Sequence, residues 1–173
     1  MNKILTIFLV VLVLAAGGYL IWQYSAGQNG APENLNGNVD AGSNANVPAE
    51  WNPLDLSNRG LTSVSVDIFN DTSITELNLS GNNLTGALPS QVQKLRNLEI
   101  LNLSDNKFTG VPAEVGQLKK LKILDLSNNE LTGLPYEIGN LTQLEILDVS
   151  GNDYSEADLA KIVSTLPNTE IIR

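Results

Sequence analysis

From Trp51 onward the sequence repeats itself every 23 or 24 residues, and this period constrains the fold more than any other feature. Copies begin at Ile74 (ITELNLSGNNLTG), Leu98 (LEILNLSDNKFTG), Leu121 (LKILDLSNNELTG) and Leu144 (LEILDVSGNDYSE), separated by 24, 23 and 23 residues. One more step of 23 back reaches Trp51, where WNPLDLSNRGLTS is a degraded copy. A fixed period of this length marks a solenoid, in which each unit is too small to bury its apolar face alone and stacks on its neighbours.

Within each copy the pattern is L-x-x-L-x-L-x-x-N-x-L, carried by Leu98, Leu101, Leu103, Asn106 and Phe108 and again by Leu121, Leu124, Leu126, Asn129 and Leu131. This stretch, nearly everything after residue 50, resembles the leucine-rich repeat family. LTGVPAEVGQL and LTGLPYEIGNL look like the short variants with a Pro-x-Glu-Ile-Gly convex side, and LTGALPSQVQKL is closer to the plant-type form. The cysteine-free ends depart from many animal and plant extracellular relatives and favour a bacterial origin. The resemblance implies an α/β fold: a right-handed curved coil with a parallel sheet on its concave side and short helices or turns on its convex side. It also implies a binding scaffold without catalysis.

Elementary patterning supports the same reading. L-x-L has period 2, so Leu77 and Leu79, or Leu124 and Leu126, point inward from a short strand. Pro89, Pro112 and Pro135 fall where a short helix would take proline at its first position. Val92, Val115 and Ile138, with Leu95, Leu118 and Leu141, then close the core from the convex side. The recurring Asn82, Asn106, Asn129 and Asn152 form a structural ladder, because an amide inside a turn can satisfy backbone groups that leave the strand unpaired. Arg59 occupies that slot in the first copy and marks the N-terminal edge of the repeats. Ser155–Asp158 reads as a capping-box-like helix start, and apolar Leu159, Ile162, Val163 and Leu166 follow at helical spacing. Residues 155–173 therefore form a helical cap that hides the last turn's apolar face, with Thr169–Ile172 able to add a final strand.

The N-terminal third has a different character. Ile4 to Trp22 carries no charge, and its nineteen residues give roughly 28 Å of helix, about the thickness of a bilayer's hydrocarbon core. Residues 1–24 read as a transmembrane anchor, with Lys3 on the cytoplasmic side and Tyr19, Trp22 and Tyr24 at the far interface. The rival is a signal peptide cleaved after Gly17, which would leave a secreted protein. Either reading places the repeats outside the cytoplasm. Residues 25–50 are rich in Gly, Asn, Ala and Ser, too poor in apolar surface to order themselves, and span roughly 25–30 Å as a flexible linker.

A formal charge of -9 argues against nucleic acid as a partner, since the phosphate backbone repels it. The absence of Cys and His removes disulfides, thiolate chemistry and the commonest general base and metal ligand. The sequence calls for no cofactor, no metal and no catalytic set.

Binding candidates lie on the concave strands. The position between the inward leucines holds Asp55, Asn78, Asn102, Asp125 and Asp148, expected to face solvent. Before it stand Pro53, Glu76, Ile100, Ile123 and Ile146, and after it Ser57, Ser80, Ser104, Ser127 and Ser150. One reading is a groove for an extended or basic peptide, with the isoleucines as its apolar strip. The other is that these ladders follow the repeat and stabilise neighbouring turns. Asp105, Asp125 and Asp148 are expected to be alike and solvated, which disfavours acid–base pairing. Sequons at Asn70, Asn78, Asn83, Asn102 and Asn140 arise in part from the repeat's own wording, and glycans on Asn78 or Asn102 would occupy the concave face. The partner is therefore an unidentified protein or peptide, with a glycan as a further option. A self-associating surface spacer is the rival role.

Overall fold

The computed structural model describes residues 51–173. The segments read as anchor or signal peptide, 1–24, and as linker, 25–50, lie outside the described residues. Among those described, no helix is long and apolar enough to cross a membrane.

Each copy contributes one three-residue strand to a parallel sheet. The order is β1 (Pro53–Asp55), β2 (Glu76–Asn78), β4 (Ile100–Asn102), β6 (Ile123–Asp125), β7 (Ile146–Asp148) and β8 (Glu170–Ile172), so neighbours in the sheet are successive turns of the coil. Their register is strict: Leu54, Leu77, Leu101, Leu124, Leu147 and Ile171 stand opposite one another and face the core. A second, two-stranded sheet pairs β3 (Thr85–Ala87) with β5 (Lys107–Gly110) on the descending side of the coil. A register irregularity between Gly86 and Ala87 falls in the copy that carries the extra residue.

The convex side consists of 3-10 turns at Val66–Asn70, Ser90–Lys94, Ala113–Gln117 and Tyr136–Asn140. Pro89, Pro112 and Pro135 sit one position before the last three of these, as their N-caps, rather than at the first helical position expected. The reason lies in their carbonyls, which accept the first helical hydrogen bonds from Val92, Val115 and Ile138 at 3.1 Å. Those three residues, with Leu95, Leu118 and Leu141, are wholly buried, as the pattern predicted. Arg96 and Lys119 donate to the last carbonyls of the next turn's helix, at Gln117 and Asn140. These cations are thus occupied at helix ends, where positive charge is favoured.

Each turn needs a left-handed residue just after its strand. Asn58, Gly81, Asp105, Asn128 and Gly151 occupy that one repeat position, all with φ between 52° and 66°. Only Gly, Asn and Asp adopt this conformation cheaply, which explains a position that varies among those three types alone.

The C-terminal cap forms as read, through α1 (Glu156–Val163) and β8. Leu159, Ile162 and Leu166 are buried against the last turn. The capping-box reading is corrected in one respect: Ser155 is the N-cap, but its side chain makes no capping bond. Asp158 is instead drawn outward, accepting from the Tyr136 hydroxyl at 2.8 Å. Thr169 ties the cap back by donating to Leu144 O at 2.7 Å.

Candidate binding surface

The Asn slot is the most heavily bonded position in the coil. Asn106 Nδ2 donates to Leu103 O and Ser104 O in its own turn and to Leu79 O in the turn before. Its Oδ1 accepts from Leu84 N, also in the turn before. Asn129 and Asn152 repeat this pattern, and Asn82 accepts from both Arg59 N and Leu61 N. Donor and acceptor of these amides alike bond to backbone. The slot works backwards, each Asn clamping the turn that precedes it. Arg59 has no described turn to clamp, and its guanidinium donates instead to Asp55 O at 2.8 Å.

The outward Asx row is coupled to that ladder. Were the strand pairing to continue, Ser80 N would meet Leu56 O, but Asn82 Nδ2 takes that carbonyl at 3.0 Å. The displaced amide of Ser80 is caught by Asn78 Oδ1 at 3.0 Å, and the Ser80 hydroxyl donates to the same oxygen. Asn102, Asp125 and Asp148 hold Ser104, Ser127 and Ser150 in the same way. Each pair is an Asx turn closing the strand. One side-chain oxygen per residue is thereby spent on the fold. Among the described residues, the Nδ2 atoms of Asn78 and Asn102 make no hydrogen bond.

Burial departs from expectation. Asn102, Asp125, Asp148, Ile123, Ile146 and Glu76 are buried, and only Asn78 and Ile100 are half-buried among the candidate residues. The period-2 pattern gives direction, not exposure. Each of these side chains is flanked by the equivalent residue of the neighbouring turns, at roughly the 4.8 Å spacing of a sheet. The carboxylates are therefore not alike and solvated. Asp105 is exposed, while burial pushes Asp125 above the ordinary carboxylate range, against the pull of its bonds to Ser127 and with help from the charges of Asp148 and Asp105. Asn102 is also too enclosed, at 5 % exposure, to carry a glycan on the closed fold.

The row Pro53, Glu76, Ile100, Ile123, Ile146 and Glu170 lies in register across the sheet. Glu76 is 6 % exposed there. Burial, and then the charge of Asp55, push its carboxyl up to about 7. A separate recess lies across the first three turns, lined by Thr62, Val64, Leu84, Thr85, Pro89 and Phe108. It holds no titratable group. No cluster of carboxylates suited to a metal occurs among the described residues.

The model for "Leucine-rich repeat region" matches residues 66–171. The chain belongs to the leucine-rich repeat family. The solved leucine-rich repeat protein LIC12759 of Leptospira interrogans is similar at 42% identity and a TM-score of 0.66, over 69% of this chain and 30% of that one. The ectodomain of the plant membrane receptor kinase GASSHO1/SCHENGEN3 from Arabidopsis thaliana, solved with CASPARIAN STRIP INTEGRITY FACTOR 2, is 37% identical with a TM-score of 0.62, over 69% of this chain and 15% of that one. Among curated proteins, the CCR4-Not complex 3'-5'-exoribonuclease subunit Ccr4 of Schizosaccharomyces pombe is 47% identical over 55 residues, 32% of this chain and 8% of that protein. The chain thus spans less than a third of the length of each of these relatives. The leucine-rich repeat fold is generally a non-catalytic scaffold for protein recognition.

Proposed function

We propose that this chain is a non-catalytic recognition scaffold held outside the cytoplasm, taking a protein or peptide segment on its concave face. The observation that carries this reading is the continuous sheet, which sets one row of apolar and acidic side chains beside a second row with spare hydrogen-bonding atoms. A similar fold solved with its factor bound, in the Arabidopsis ectodomain, supports it. The apolar segment Ile4–Trp22 would anchor the chain, and residues 25–50 would hold the repeats off the bilayer. Cleavage after Gly17 would instead release a secreted form with the same binding face.

The rival role, a self-associating spacer, is disfavoured by the β1 edge. Pro53 has no N–H, Ser57 N donates to Asp55 Oδ1, and Asp55 O accepts from Arg59. A strand added there would find several of its partners missing or occupied.

Cell fractionation with N-terminal sequencing tests the tether: a mature chain beginning at Gly18 in the soluble fraction overturns it. For the binding face, Asn78 and Ile100 are the better probes, since the deeper Ile123 and Asp125 would disturb the fold. Changing Ile100→Lys should abolish crosslinking to the partner and leave the melting temperature close to wild type. Retained crosslinking would place recognition elsewhere.

A further inference from the structure

Each Asx residue of the outward row has at least one bond within the fold, whereas the Glu76 side chain has none among the described residues. In its row, the next three turns place isoleucine, the residue type that the packing favours. Glu76 is about as enclosed as Ile123 and more so than Ile100, and its carboxylate makes no hydrogen bond or ion pair within the described residues, keeping only a narrow contact with solvent. On the β1 side it faces another acid, Asp55. β4 contributes no charge, and the residue before it, Glu99, is tied to Lys122 at 2.6 Å. A carboxyl so enclosed, with no counter-charge and only a narrow contact with solvent, costs the fold stability when ionised, and an external cation reaching it through that opening would offset the cost.

Resting on the recognition reading above, we propose that Glu76, with Asp55 beside it, is the seat for a Lys or Arg side chain of an extended peptide segment, whose apolar residues lie along Ile100, Ile123 and Ile146. The cation supplies the missing counter-charge and holds the carboxylate ionised. Guanidinium is the better fit, as its planar fork can serve two carboxylates at once. From Glu76 to Ile146 is three strand steps, roughly 14 Å at the spacing of a sheet. An extended peptide covers that distance in about four residues. The expected signature is therefore a basic residue followed, four positions on, by an apolar one.

The test is a random linear peptide library displayed on phage and panned against the full chain in detergent, alongside E76Q and E76I. Wild type should enrich the basic-then-apolar signature, and both variants should select peptides without the basic residue. A synthetic wild-type-selected peptide should bind E76Q at least ~30-fold more weakly at neutral pH, the loss typical when one partner of a desolvated charge pair is removed. Its affinity for wild type should also fall as the carboxyl takes up its proton below neutral pH, and E76Q should not show this dependence. E76I should melt higher than wild type, which separates lost recognition from lost folding. If wild type and E76Q enrich the same peptides, the Glu76 seat is wrong and concave recognition stands. If wild type enriches none, the recognition reading falls and the seat falls with it.

Discussion

The inner Asn ladder and the outward Asx row use the same chemistry four residues apart, and differ in how much of it is consumed. Asn106 spends donor and acceptor alike on backbone of two turns, whereas Asn102 spends one oxygen on Ser104 and keeps its amide nitrogen. The two are also causally linked, because the inner amide takes the carbonyl that the Ser N–H would otherwise use. Repetition in a sequence therefore does not separate fold from function. Spare valence does, and it leaves Glu76 as the residue whose presence the fold cannot explain.

The sharpest way to break this comparison is to truncate both members of one turn. Asn106→Ala should destabilise the domain by roughly 3–5 kcal/mol, because it orphans Leu84 N and several carbonyls in the interior. Asn102→Ala should cost roughly 1 kcal/mol, the loss of an Asx turn. Their combination should cost less than the sum, since the Ser104 amide regains Leu79 O once Asn106 Nδ2 is gone. Urea denaturation of the three variants decides it. Strict additivity would show that the ladders are independent.

Glu76 comes next in size. Its ordinary pKa of 4.5 rises to about 7 on folding, so the protonated form is the one the folded state favours. The associated stability is fully present below pH 4.5 and is lost as pH climbs through about 7. Relative to E76Q, the wild type should lose on the order of 3 kcal/mol across that window. Denaturation of both proteins at several pH values checks it. A pH-independent difference between them would mean that Glu76 is solvated.

Much of this was legible beforehand, and the misses share one cause. Leu77, Leu101 and Leu124 announce inward positions because the strand period is a local property. The Asn slot is legible for the same kind of reason, as an amide recurring at the exit from a strand has few tasks. Exposure of Ile146 or Asp125 is set instead by what lies one turn away, and a linear pattern carries no measure of that. Glu76 could be read as an acid in a row of isoleucines, but its lack of a counter-charge became visible only with its neighbours in place. The left-handed position did leave a mark, in its restriction to Asn, Gly and Asp, that a conformational reading of the repeat would have caught.

A smaller effect follows from the buried Asp125. Asp125→Asn keeps the oxygen that holds Ser127 and removes a desolvated charge next to Asp148. It should stabilise the domain at neutral pH by roughly 1 kcal/mol and lose that advantage in acid, where Asp125 is protonated. Thermal unfolding at two pH values measures the change. Destabilisation at neutral pH would show that the outward row needs its charge, and so that something cationic already compensates it.

The smallest predicted effect tests the direction of the inner ladder. Arg59→Asn restores the repeat consensus, and by sequence logic alone it should strengthen the coil. The structure says otherwise, because the slot stabilises by reaching back, and the first described turn has none before it. A new amide at 59 would share Leu56 O with Asn82, as successive Asn side chains share Leu79 O and Leu103 O, and it would release Asp55 O from the guanidinium that now covers it. The expected change is within about 0.5 kcal/mol of wild type, the range of ordinary surface substitutions. Freeing Asp55 O should matter more for association, since it reopens an acceptor on the β1 edge and makes sedimentation concentration-dependent. A clear gain in stability, measured by urea denaturation, would mean that the ladder's benefit comes from bonds within a turn rather than between turns.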